Sequence, residues 1–186
     1  MKLLRNRKFA LLVTAAVIVL STLFGVHKSL SKEVERVEAM FSAGVPQRES
    51  DGVEPKMNER LGSIQTDILG ITAISGKYPA LDAETKQLQG ARNEYMDAKS
   101  ISEKSKAYGQ MMSAYEAFCK KADTVDISEI DRDALEDYAS DIKIEQSLIE
   151  RSRYNEAVDE YINGVSASFP VGILKKLAFV RDPQIF

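Results

Sequence analysis

Eighteen residues, Phe9–Val26 (FALLVTAAVIVLSTLFGV), run without a charge behind Lys2, Arg5, Arg7 and Lys8. Coiled as an α-helix at 1.5 Å per residue, this run is about 27 Å long. That is close to the roughly 30 Å hydrocarbon core of a bilayer. A secretory signal has an apolar run of roughly 7–15 residues and a small-x-small cleavage site. This run is longer and leaves through Gly25-Val26-His27-Lys28. The expectation is a retained transmembrane helix over 9–26 that contacts the lipid bilayer. Lys and Arg concentrate on the cytoplasmic side of a span, which predicts a short cytoplasmic tail, 1–8, and an extracytoplasmic remainder.

Charge divides at the same place. The first 29 residues hold five of the 25 basic residues and none of the 28 acids, so the rest carries a net charge of −8. Nucleic-acid binding rewards a basic face, and an acidic body argues against it. The chain has 44% hydrophobic residues, no Trp and only 5 Pro, enough apolar material for a helical core.

Helical stripes then follow one another. Leu30, Val34, Val37 and Phe41 are spaced four, three and four, and Gly44-Val45-Pro46 stops the run. The polar stretch 47–55 reads as a loop. From Lys56, Met57, Leu61, Ile64, Ile68 and Ile71 form a coiled-coil-like seam, closed by Gly76-Lys77-Tyr78-Pro79. Leu81, Leu88 and Tyr95 mark a further piece. Ser100-Ile101-Ser102-Glu103 fits a capping box, and Tyr108, Met111, Met112, Tyr115, Phe118 and Ala122 continue as core. The spacing predicts a long last helix over 129–168, on which Ile144, Leu148, Arg151, Asn155, Val158, Ile162, Val165 and Phe169 form one row. Arg151 and Asn155 are polar within it, so the row is either locally open or hydrogen-bonded across the bundle. The fold class expected is all-α: an antiparallel up-and-down bundle of four long helices behind one transmembrane helix.

Catalytic and metal signatures are missing from this pattern. Cys119 is the sole cysteine and His27 the sole histidine, which excludes zinc clusters, a His-Glu-x-x-His motif, and a His base for Ser or Cys. The acids of 123–141 lack the Gly that an EF-hand loop requires; Ser128 instead reads as an N-cap, with acids toward the positive end of a helix dipole. A glycosidase carboxylate pair needs a cleft that long bundles seldom offer. No catalytic residue, cofactor or metal is expected.

Arg153-Tyr154-Asn155, Tyr161, Asn163 and Phe169-Pro170 resemble the carboxy-terminal signature of the LemA family. That signature has a Tyr-Asn pair on a long helix, an aromatic-Asn pair a heptad later, a Phe-Pro stop and an aromatic tail. Ile162 separates Tyr161 from Asn163, a departure of one residue, and the Trp- and Arg-rich pattern near the family's first helices is missing. The resemblance implies a membrane-anchored helical bundle over 29–170 and supplies no catalytic residues. Beyond it, 171–186 keeps Ile173, Leu174, Leu177, Phe179 and Phe186. Two readings of this apolar tail stand: it docks on a protein partner, or it folds back and completes the core. For the whole chain, an interaction or scaffolding module at the cell envelope is expected, with self-association as a further option. The alternative is a ligand-sensing bundle coupled to a membrane partner.

Overall fold

The apolar stripes become helices, and the connections between them over 76–128 are short. The computed structural model describes residues 7–46 and 56–186; the 47–55 loop and the basic Lys2 and Arg5 lie outside the described residues. The fold is all-α, with no strand among the described residues. In chain order it comprises α1 (Arg7–Ala43), α2 (Met57–Ser75), α3 (Asp82–Asp97), α4 (Ile101–Ala122), α5 (Glu129–Glu150), α6 (Tyr154–Asp159) and α7 (Val171–Leu177). A 3₁₀ turn at Pro79–Leu81 leads into α3, and a π-helix, Glu160–Ser166, continues α6. The chain divides into two compact units, Met1–Glu38 with Glu156–Pro183 and Ala39–Asn155 with Gln184–Phe186.

The second unit is an up-and-down bundle. α3 packs on α4, α2 on α3, and α2 on α5; short links between consecutive helices make neighbours antiparallel. The seam of α2 is buried as its spacing requires, with Met57, Leu61, Ile64, Ile68 and Ile71 all inside. Leu81, Leu88 and Tyr95 are likewise buried. Gly70 lets α5 come close: a Cβ there would lie 2.6 Å from the hydroxyl oxygen of Tyr138. The α2–α3 connection is tied to the start of α5, where Asp131 accepts from Lys77 at 2.7 Å and from the Tyr78 hydroxyl at 2.6 Å.

Termini follow the capping signals. At α4, Ser100 Oγ accepts from the Glu103 amide at 3.2 Å while the Glu103 carboxylate accepts from the Ser100 amide at 3.0 Å, satisfying orphan donors reciprocally. Ser128 caps α5 by accepting from the Asp131 amide at 3.3 Å. Gly44 ends α1 at φ 84° and donates to the Met40 carbonyl, the left-handed conformation that glycine adopts without penalty.

The single long last helix is corrected. α5 stops at Glu150, and at 22 residues it is about 33 Å long, not the roughly 60 Å that 129–168 implies. Ser152 Oγ accepts from the Tyr154 amide at 3.3 Å and starts a separate helix. The predicted row holds at Val158, which is buried, but is out of register on α5 and past Asp159. On α5 the buried residues are Ile142 and Ile149, seven apart, while Ile144 is 54% exposed. Beyond Asp159 the helix is π, bonding i to i+5, so residues five apart share a face. Tyr161 and Ser166 are therefore buried and Val165 faces outward, while Phe169 lies past the end of the π-helix and is exposed.

Candidate functional site

Tyr154 and Asn155, singled out as a motif pair, do one identifiable thing in the bundle unit: they hold the last residues of the chain. The Tyr154 hydroxyl donates to the Gln184 carbonyl at 2.7 Å. Asn155 Nδ2 donates to a main-chain oxygen of Phe186 at 2.7 Å, and its Oδ1 accepts from the Phe186 amide at 3.0 Å. A carboxamide satisfying both a main-chain oxygen and the N–H of one residue replaces a strand neighbour. The Phe186 ring then lies 5.4 Å from Phe41 and 5.5 Å from Tyr108, and Phe41 meets Tyr154 edge-on at 5.4 Å, within the spacing of favourable aromatic pairs. Asn155 is thus a polar member of an apolar row because it serves backbone, and Phe186 is half-buried. Arg151 is exposed at the helix break.

Arg153 stays in the bundle unit, and the other motif and tail residues belong to the first unit. Tyr161 is buried, and its hydroxyl has no hydrogen-bond partner among the described residues. Burial raises its pKa, with Asp182 and Glu33 adding to the effect. Lys175 Nζ lies over the Tyr161 ring at 5.7 Å, hydrogen-bonds Ser166 Oγ, and pairs with Asp182. These contacts explain how a lysine is only 7% exposed; an unpaired buried ammonium is costly. Arg153 is half-buried and Asn163 is exposed. Phe169 is exposed, and its bond to Pro170 is cis.

The end of α7 is tied to α1 within this unit. His27 Nδ1 lies 2.8 Å from the carbonyl oxygen of Ala178; a carbonyl only accepts, so Nδ1 carries the hydrogen. Four residues on from Leu177, Arg181 forms a two-pronged pair with Glu38, its second nitrogen donating at 2.7 Å. Helix α7 closes in a Schellman motif: the Phe179 amide donates to Lys176 and the Val180 amide to Lys175. Phe179 holds the left-handed position at φ 55° and is 89% exposed. Ile173 and Leu177 are exposed one turn apart on α7, and Leu174 is half-buried.

The bundle unit contains a cavity of about 200 Å³, lined chiefly by Ile71, Tyr115, Phe118, Ala122, Ile127 and Leu135. Cys119, Asp123, Arg132 and Glu136 also line it. Arg132 donates to the Val125 carbonyl at 3.3 Å. Burial pushes the Cys119 thiol pKa up, against the opposing hydrogen bond from Tyr115, so the thiol is a poor nucleophile. Burial likewise raises Tyr95, to about 12. The cavity wall is mainly apolar, with Cys119, Asp123, Arg132 and Glu136 as its polar part. Among the described residues, no cluster of three or more His, Cys, Asp and Glu is placed to hold a metal ion.

Compared with models of known protein families, with characterised proteins and with solved structures, the chain matches none. Sequence reasoning missed the two features of greatest chemical interest, the His27–Ala178 contact and the strained Phe179. His27 was traceable as a donor just past an apolar run, but its acceptor lies 151 residues away. Phe179 carried no local signal, because a Schellman position normally advertises itself by glycine.

Proposed function

We propose that the chain is a single-pass membrane protein whose helical bundle serves as a non-enzymatic interaction or scaffolding module at the cell envelope, in the manner of a divergent LemA family member. One observation carries the reading. Helix α1 is long and apolar enough to cross a membrane, and none of its apolar window is buried by the rest of the chain. Leu11, Leu12, Leu20 and Phe24 are each about two-thirds exposed or more, a contiguous apolar surface of the kind water does not tolerate on a soluble monomer. The basic residues before the span favour a cytoplasmic amino terminus and an extracytoplasmic bundle. Within that reading, Tyr154 and Asn155 of the LemA-like signature act by pairing with 184–186.

Topology tests it. In a Cys119→Ala background, an exposed cysteine replaces Asp133, and intact cells are treated with a membrane-impermeant thiol reagent. Labelling before lysis fits the reading; labelling only after lysis reverses the orientation and moves every partner to the cytoplasm. A second reading, a ligand-sensing bundle coupled to a membrane partner, draws on the cavity beside Tyr115 and Phe118. Its ligand would raise the unfolding midpoint with concentration.

A further inference from the structure

We propose that the turn at the end of α7 is a second, interfacial membrane contact, with Leu177 and Phe179 entering the phospholipid surface beside α1. This rests on the reading of α1 as a membrane span. Depth is the first argument. His27 is the residue that follows the apolar run Phe9–Val26, and it holds the carbonyl of Ala178. If 9–26 fills the hydrocarbon, His27 lies at the headgroup boundary, and the residues either side of Ala178 lie there too. Leu177 and Phe179 are those residues, 55% and 89% exposed. Ile173, on the same helical face as Leu177 one turn earlier, extends the exposed apolar edge.

Conformation is the second argument and is independent of the first. Phe179 has φ 55°, a region where a Cβ crowds the following carbonyl and where bulky residues are rare. Glycine takes the same Schellman position without strain. A strained side chain persists when something compensates it, yet the chain itself covers almost none of this ring. A bilayer interface supplies the missing contact, since aromatic side chains concentrate at that depth. Chemistry agrees: Lys28 and Lys176 are both exposed, and long cationic side chains reach from such a depth to lipid phosphates.

The chain has no Trp, so single substitutions give unambiguous fluorescence reporters. Phe179→Trp, Leu177→Trp, Leu20→Trp within the span and Met96→Trp on the bundle are each introduced into the full chain. Each variant is reconstituted in phosphatidylcholine and phosphatidylglycerol vesicles carrying lipids brominated at shallow or deep acyl positions. The proposal expects indole emission from positions 177 and 179 to be blue-shifted and quenched most by shallow bromines, from position 20 most by deep ones, and from position 96 by neither. Positions 177 and 179 quenched no more than 96, with 20 still quenched, overturn the proposal and leave the span intact. Blue-shifted but unquenched emission at 177 and 179 assigns the edge to protein, another copy included, and overturns it equally. An unquenched position 20 removes the span and the proposal together.

Discussion

Asn155 provides the sharpest test of how this chain ends. Replacing it with Ala deletes both bonds to the Phe186 backbone, at 2.7 and 3.0 Å. A typical intramolecular hydrogen bond contributes about 0.5–1.5 kcal/mol net, so the pair amounts to about 1–3 kcal/mol. Phe186 is half-buried, and water can reach part of what is left, which places the expectation in the lower half of that range. Urea unfolding of the full chain in nanodiscs, followed by helical circular dichroism, should show a lower midpoint with an unchanged slope, the mark of lost stability without altered compactness. Removing Phe186 alone should cost more, because its ring contacts with Phe41 and Tyr108 go as well. The decisive quantity is the coupling. Once Phe186 is absent, Asn155→Ala should have almost no further effect, leaving a non-additivity of about 1–2 kcal/mol. Effects that add within about 0.5 kcal/mol, as for independent sites, would refute the clamp.

Three further outcomes follow from the same geometry. Phe179→Gly relieves a left-handed side chain worth about 1–2 kcal/mol against an unfolded-state entropy of about 0.4–1 kcal/mol. The fold should become slightly more stable in detergent while vesicle binding at that edge weakens; a clear loss of stability would mean the ring is packed. Gly70→Ala sets a helix-propensity gain of about 1 kcal/mol against an overpacking cost of about 1–3 kcal/mol from the Tyr138 ring. It should therefore be neutral or destabilising in the parent and stabilising in a Tyr138→Ala background, and an unchanged sign would contradict the close approach of α2 and α5. Burial raises the Asp67 pKa, with Asp141 and Glu145 adding, so the fold binds this proton more tightly than the unfolded chain does. Its penalty is complete above the raised pKa and fades as pH falls toward the ordinary value of 3.8. Asp67→Asn should raise the urea midpoint at neutral pH and lose that advantage on acidification; a uniform gain at all pH values would point to another cause.

Much of the bundle was legible because its signals are local. The α2 seam, the Ser100–Glu103 box and the Gly44 stop each depend on residues within one or two turns, and spacing alone decides which side chains share a face. The 129–168 row shows where this fails. Spacing of four and three continues across Arg151–Arg153 as though the helix did, yet α5 ends at Glu150 and a separate helix starts at Tyr154. Periodicity records which residues would share a face if helical, and it carries no information on continuity. Past Asp159 the period itself changes, and a row read at 3.6 residues per turn assigns Val165 to the wrong side, while Phe169 falls beyond the helix altogether.

The candidate site was legible in its residues and illegible in its pairings. Tyr154 and Asn155 were noticed as a motif, and Asn155 also as a polar intruder in an apolar row. Most buried polar side chains have a partner, so a bond at Asn155 was one of two readings the row allowed, and its address carried no signal. The partner proved to be backbone 31 residues away, which exposes no side-chain signature at all. Phe179 inverts the case: its sequence context, Lys-Leu-Ala-Phe-Val, reads as ordinary core, and only the positive φ and the open ring separate it from Phe186 in the same tail. Two aromatic residues seven apart thus have opposite assignments, one held by a carboxamide among aromatic rings, the other strained and uncovered. The tail is therefore neither wholly core nor wholly docking surface: it divides between 179 and 186, and each part calls for its own perturbation.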